Sequence, residues 1–289
     1  EFIIQSQQSL AAAINRFLEM IVTYGRERTL RYLPALLQET NEHLQALFEH
    51  LFAPILPYLP DGAPIIIAPD DILHYVPFHA LYTGSQYLLE AFQISYTPSA
   101  TVLNLCIQQT HASKGELICG YDNGQLSGVT QEINVIRANF PEAACLTGAA
   151  ATTSAFTTQA HNKKIIHLAA HAAFRIENPM LSSIALADRR LTLAEIGRLA
   201  LNADLAVLSG CDTGQGELHG TDLLSLSNGF ISAGVRSLVI TLWRIEDNSA
   251  AYVMQKFYFT VRAPTTYAAA LRHAQLALLN HGRLAQGVE

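Results

Sequence analysis

A histidine and a cysteine, each placed just past an apolar run, are the residues of this chain best suited to covalent chemistry. His171 lies in IIHLAAHAAF (165–174) and Cys211 in LAVLSGCDTG (205–214). Both stretches read as buried strands that run out into polar or glycine-bearing turns. A parallel α/β sheet keeps its chemistry beyond the carboxyl ends of its strands, so neighbouring strands of this kind would bring an imidazole and a thiol to one edge. Gly210 and Gly214 permit a tight turn around Cys211, with peptide N–H groups aimed at any anion formed there. Such groups lower a thiol's pKa and hold the oxyanion of a tetrahedral intermediate. The competing readings are a small buried cysteine at a strand end and a histidine that only bonds a nearby carbonyl. A thiol ionises partly near neutral pH, so a Cys–His pair needs no third member; Asp212 and Glu177 are the candidate helpers.

Other residues carry weaker chemistry. His167 and His171 have the spacing of a zinc pair, but that spacing converges on one face only in a helix, and no third ligand stands nearby. No metal site is expected, and His167 is expected in the core or on the sheet's other face. The polar loop DTGQGELHGTD (212–222) suits a segment that orders around substrate, or an ordinary surface loop. At LWRIED, Trp243, Glu246 and Asp247 fall at one strand end, where carboxylates beside an aromatic wall suit a Lys or Arg side chain. Asp212 is a further substrate-binding candidate. Asp247 equally suits the cap of the helix that follows.

The elements that must position these residues alternate. Apolar positions at helical spacing mark two helices over the first fifty residues, broken near Tyr24 and Gly25, and a Pro-rich boundary runs from Pro54 to Pro64. Strands PIIIAP and FQISYTP and a helix from about Ser99 to Gln109 form a first small unit. Strands ELICGY, AACLTG, KIIHLAA, DLAVLSG and RSLVITLW then interleave with helices TQEINVIRANF, ATTSAFTTQA, LTLAEIGRL and TDLLSLSNGFISAG, followed by two more. This order predicts an α/β fold with a mainly parallel sheet covered on both faces. The expected divisions are 1–52 (amino-terminal helices), 53–111 (small α/β unit) and 112–289 (the unit carrying the site).

With 289 residues, half of them hydrophobic, the chain can bury a large core. Its net charge of −6 offers no basic field for nucleic acid or anionic lipid, and neither is expected as a partner. No apolar run approaches the roughly 20 residues that span a bilayer, and no signal-peptide pattern opens the chain, so a soluble cytoplasmic protein is expected. Cys106, Cys119, Cys145 and Cys211 lack metal or disulfide spacing, which fits a reducing compartment. The first residue is Glu1 rather than Met, which predicts a piece of a longer protein.

The series IIIAPDDILHYVPFHAL, YLLEAFQISYTPSA, IIHLAAHAAF, LAVLSGCDTGQG, NGFISAGVRSLVITLW and LRHAQLALL closely resembles the CHAT domain. This is a caspase-like peptidase module related to separase and often fused to helical TPR repeats. The resemblance runs from about Ile65 to Leu279 and implies a caspase-like three-layer sandwich with a second, pseudo-symmetric small α/β unit. The amino-terminal helices then look like the end of a repeat array or the linker after it. By resemblance His171 is the general base, Cys211 the nucleophile, and the N–H groups of Cys211 and Ala172 the oxyanion hole. The family pattern usually has Gly where Ala172 stands; an alanine keeps the N–H provided that its φ is not positive. Asp247 matches the aspartate with which separase-like relatives hold a basic side chain before the scissile bond. The resemblance implies a cysteine endopeptidase acting on a protein substrate without a cofactor, in bacterial defence or regulated cell death, activated by its repeats or a partner. The alternative is a catalytically silent interaction or signalling module of the same fold.

Overall fold

Strands with branched or apolar residues on both faces have to be covered on both, and the carboxyl-terminal two thirds of the chain are built on that requirement. The computed structural model describes residues 13–14, 33–110, 113–122, 127–173, 178–209, 227–241 and 247–285. The chain forms two compact units, Glu1–Thr97 and Pro98–Glu289.

In the first unit, helix α1 (Leu33–Leu51) buries Leu44, Leu47 and Phe48. Strands β1 (Pro64–Ile67) and β2 (Gln93–Tyr96) pair in parallel, Pro64 against Gln93 and Ile67 against Tyr96. The link between them holds two 3-10 turns and the one-turn helix α2 (Leu88–Ala91), where the Glu90 carboxylate accepts the Tyr87 N–H at 2.8 Å. Phe52, Val76, Phe78, Leu81, Leu88 and Phe92 close this core. Pro64 and Ile66 on one face stay exposed while Ile65, Ile67 and Ile94 on the other pack against this core, so the two-stranded sheet is covered on one side.

The second unit opens with α3 (Ala100–Gln108), capped by Ser99, whose hydroxyl accepts the Val102 N–H at 3.2 Å. Its sheet comprises β3 (Glu116–Tyr121), β4 (Ala144–Thr147), β5 (Ile165–Ala170), β9 (Leu205–Ser209) and β10 (Leu238–Ile240). All four pairings are parallel and the order is β4-β3-β5-β9-β10. The chain steps outward from β3 to β4, then returns to place β5 on the other side of β3. The carboxyl ends of β3 and β5 therefore flank a switch point, where open α/β sheets present a crevice.

Helices α4 (Ser127–Asn139), α8 (Asp247–Val261) and α9 (Tyr267–Ala285) cover one face through Val129, Ile133, Ile136, Phe257 and Ala274. Helices α5 (Thr153–Gln159), α6 (Leu193–Ile196) and α7 (helical over 227–232) cover the other through Phe156, Leu193, Ile196 and Phe230. This is the expected three-layer α/β sandwich.

Two features differ from the sequence expectation. Short strands β6 (Ala172–Ala173), β7 (Ser183–Ala185) and β8 (Arg190–Thr192) form a small antiparallel sheet directly after β5. The stretch LTLAEIGRL, expected as one helix, ends strand β8 at Thr192 and starts α6 only at Leu193. The cause is a capping box: the Thr192 hydroxyl accepts the Glu195 N–H at 3.3 Å, and the Glu195 carboxylate accepts the Thr192 N–H at 2.9 Å.

Candidate active site

β5 ends at Ala170, one residue before His171, because the chain turns there to pair with β7. The His171 carbonyl accepts the Ala185 N–H at 2.8 Å, and Ala173 stands opposite Ser183. The imidazole is buried at the carboxyl end of the sheet, with the residue 7 % exposed. β5 and β9 are direct neighbours in parallel register, with Ala169 opposite Ser209. His171 and Cys211 thus each follow a paired position by two residues in the chain.

Ala172 faces Ile184 across the small antiparallel sheet. The bond from Ala185 to the His171 carbonyl brackets that position, so Ala172 and Ile184 form a pair that exchanges no hydrogen bond. Its N–H therefore points away from β7. Among the described residues, positive φ outside glycine occurs at Asp71, Asn162 and Asn202, so Ala172 occupies its strand without left-handed strain. The glycine of the family pattern is not required by the backbone here.

His167, expected in the core, is there: 1 % exposed, with Nδ1 at 2.9 Å from the Tyr258 hydroxyl and Nε2 at 3.3 Å from Glu132 Oε1. It lies on the α4 face of β5, in line with Ile165 and Ala169. Cys119 is fully buried and its thiol is pushed up to about 12, chiefly by burial. Cys106 is also raised by burial, against the pull of the nearby Arg236 charge. In both thiols burial outweighs any activating charge, so neither is prepared as a nucleophile.

Cys211, Asp212, Glu177, Trp243, Glu246 and the loop 212–222 lie outside the described residues. Asp247 opens helix α8. Among the described residues there is no group of three or more His, Cys, Asp or Glu that could hold a metal ion, and no helix is long and apolar enough to cross a membrane.

One acidic residue escaped the sequence reading. Tyr121 of β3 pairs with Ala170 of β5, so Asp122 and His171 each follow that pair by one residue, on the two sides of the switch point. A carboxylate placed there has the chemistry to orient an imidazole or receive a basic side chain. Its signal was the strand-end position in ELICGYD, legible only once β3 and β5 are known to be neighbours.

Comparison with known proteins gives one family. The family model described as the CHAT domain matches residues 41–286. No curated protein matches the chain.

Proposed function

The chain belongs to the CHAT domain family, which is associated with caspase-like cysteine peptidases, and on that premise we propose that it is a cysteine endopeptidase acting through Cys211 and His171. The observation that carries this reading is the parallel pairing of β5 with β9, Ala169 against Ser209, two residues ahead of each. His171 takes the thiol proton and the thiolate sulfur bonds to the scissile carbonyl carbon. The oxyanion is held by the N–H groups of Cys211 and Ala172; the outward direction of the latter, away from β7, supports that role. The intermediate then expels the amine, which receives the proton from His171, and leaves a thioester on Cys211. Water, deprotonated by His171, hydrolyses the thioester and regenerates the thiol.

Asp247 is the candidate to hold a basic side chain before the scissile bond, and Trp243, Glu246 and Asp212 are the further substrate-binding candidates. The substrate is a specific protein partner, cut in the cytoplasm of a bacterium during defence or regulated cell death. Activation comes from a bound partner or from TPR repeats amino-terminal to the domain.

Incubating an unbiased peptide library with the protein and with its Cys211→Ala and His171→Ala variants tests this reading, with cuts read by mass spectrometry. Cuts after Lys or Arg that vanish in both variants are expected. Cleavage that survives Cys211→Ala would overturn the nucleophile, and no cleavage even with the repeats and partner present would favour a silent interaction module.

A further inference from the structure

Glu132 is the only carboxylate, and the only Lys, Arg, Asp or Glu, buried among the described residues. A buried carboxylate is costly unless its oxygens are bonded, and here Oε2 is hydrogen-bonded while Oε1 makes no hydrogen bond and lies within ion-pair range of an imidazole. Oε2 accepts the Ser209 hydroxyl at 2.8 Å, and Oε1 lies 3.3 Å from His167 Nε2. His167 Nδ1 in turn meets the Tyr258 hydroxyl at 2.9 Å. The result is one chain of polar groups, Tyr258 to His167 to Glu132 to Ser209, running from α8 through β5 and α4 to β9.

The backbone makes room for it. Gly120, Ala169 and Ser209 are register partners across β3, β5 and β9, a row of small residues beneath α4. A Cβ on Gly120 would stand 3.1 Å from Ile133 Cγ1 and 3.2 Å from Val129 Cγ1, so glycine is what lets α4 approach the sheet. Glu132 then reaches two neighbouring strands, Ser209 of β9 and His167 of β5. The link falls on Ser209, the last residue of β9, two residues before Cys211 in the sequence.

We propose that Glu132 is a positioning residue for the Cys211–His171 pair, fixing the end of β9 against β5 through the Ser209 hydroxyl while His167 and Tyr258 hold the carboxylate. This inference rests on the peptidase reading. Its physical ground is that catalytic pairs tolerate little misplacement: an error of about 1 Å costs on the order of a hundredfold in rate.

The test is the pH profile of Cys211 alkylation by iodoacetamide, followed on its own peptide by mass spectrometry from pH 5 to pH 9. It compares the unaltered protein with Ser209→Ala, Glu132→Gln, His171→Ala and, as a packing control on the same strand face, Val207→Ala. In the unaltered protein Cys211 should titrate below the ordinary thiol value of about 8.5. His171→Ala should raise that midpoint. Ser209→Ala and Glu132→Gln should raise it too, slowing alkylation at pH 6 about tenfold, while Val207→Ala leaves the midpoint in place. Unaltered midpoints in both Ser209→Ala and Glu132→Gln, or an equal shift in Val207→Ala, would overturn the positioning role and leave the peptidase reading standing. A Cys211 that titrates like an ordinary thiol and ignores His171→Ala would remove the peptidase reading, and this inference with it.

Discussion

The two faces of the five-stranded sheet are packed by different rules. Toward α5, α6 and α7 the strands present Leu117, Cys119, Ile166, Leu168, Ala206 and Leu208, an apolar surface closed by Phe156, Leu193, Ile196 and Phe230. Toward α4, α8 and α9 the same strands read Ile165, His167, Ala169 and Leu205, Val207, Ser209. That second face sets buried polar groups among apolar ones, His167 in the middle of β5 and Ser209 at the end of β9. An apolar face is held by area and shape and tolerates small shifts of register. A buried hydrogen-bonded chain is satisfied in one arrangement only, so it specifies position where the first face supplies bulk stability.

Breaking the polar face by one partner should have the largest effect. Glu132→Ala strands the imidazole of His167 and the hydroxyl of Ser209, and a loss of about 3–5 kcal/mol is expected in urea unfolding. Replacing Glu132 and His167 by leucine together with Ser209→Ala and Tyr258→Phe should recover most of that loss, because no member of the polar chain is then left without its partner; a quadruple variant no better than Glu132→Ala would refute this account of the network. On the apolar face, Leu168→Ala should cost about 2–4 kcal/mol in the same measurement and leave Cys211 reactivity unchanged. Gly120→Ala should cost about 1–3 kcal/mol by crowding Ile133 and Val129, and, unlike Leu168→Ala, should also raise the Cys211 midpoint because α4 carries Glu132.

The smallest effect concerns a histidine outside this sheet. His79 shares a hydrogen bond with the Tyr96 hydroxyl, Nδ1 to oxygen 3.0 Å, and burial pushes its imidazole down to about 4. The folded value thus lies below the unfolded value of about 6.5, so the unfolded chain binds more protons between the two. The stability this neutral histidine contributes is complete above pH 6.5 and is lost as pH falls toward 4. His79→Gln should flatten the thermal-melting profile across that window relative to the unaltered protein; an unchanged slope would contradict the assignment.

Much of the positioning machinery was legible in the residues themselves. The apolar runs at 165–170 and 205–209 became β5 and β9 at the expected places, because strands covered on both sides leave unbroken hydrophobic stretches. The same uniformity hides which strands are neighbours, so the pairing of β5 with β9 and the place of Asp122 required the structure. Glu132 reads in TQEINVIRANF as an ordinary polar position of an amphipathic helix. Its burial follows from Gly120 on another element, whose signal was a glycine inside the strand run ELICGY. Strands β6, β7 and β8 have two or three residues each, too few for alternation to register.

The central claim, a Cys211 thiolate prepared by His171, is most directly tested by covalent capture with a peptidyl acyloxymethyl ketone that ends in lysine or arginine, mapped by mass spectrometry. The account predicts a single adduct on Cys211 that is lost in His171→Ala. Adducts spread over Cys106 and Cys145, or capture of Cys211 that is indifferent to His171, would contradict it.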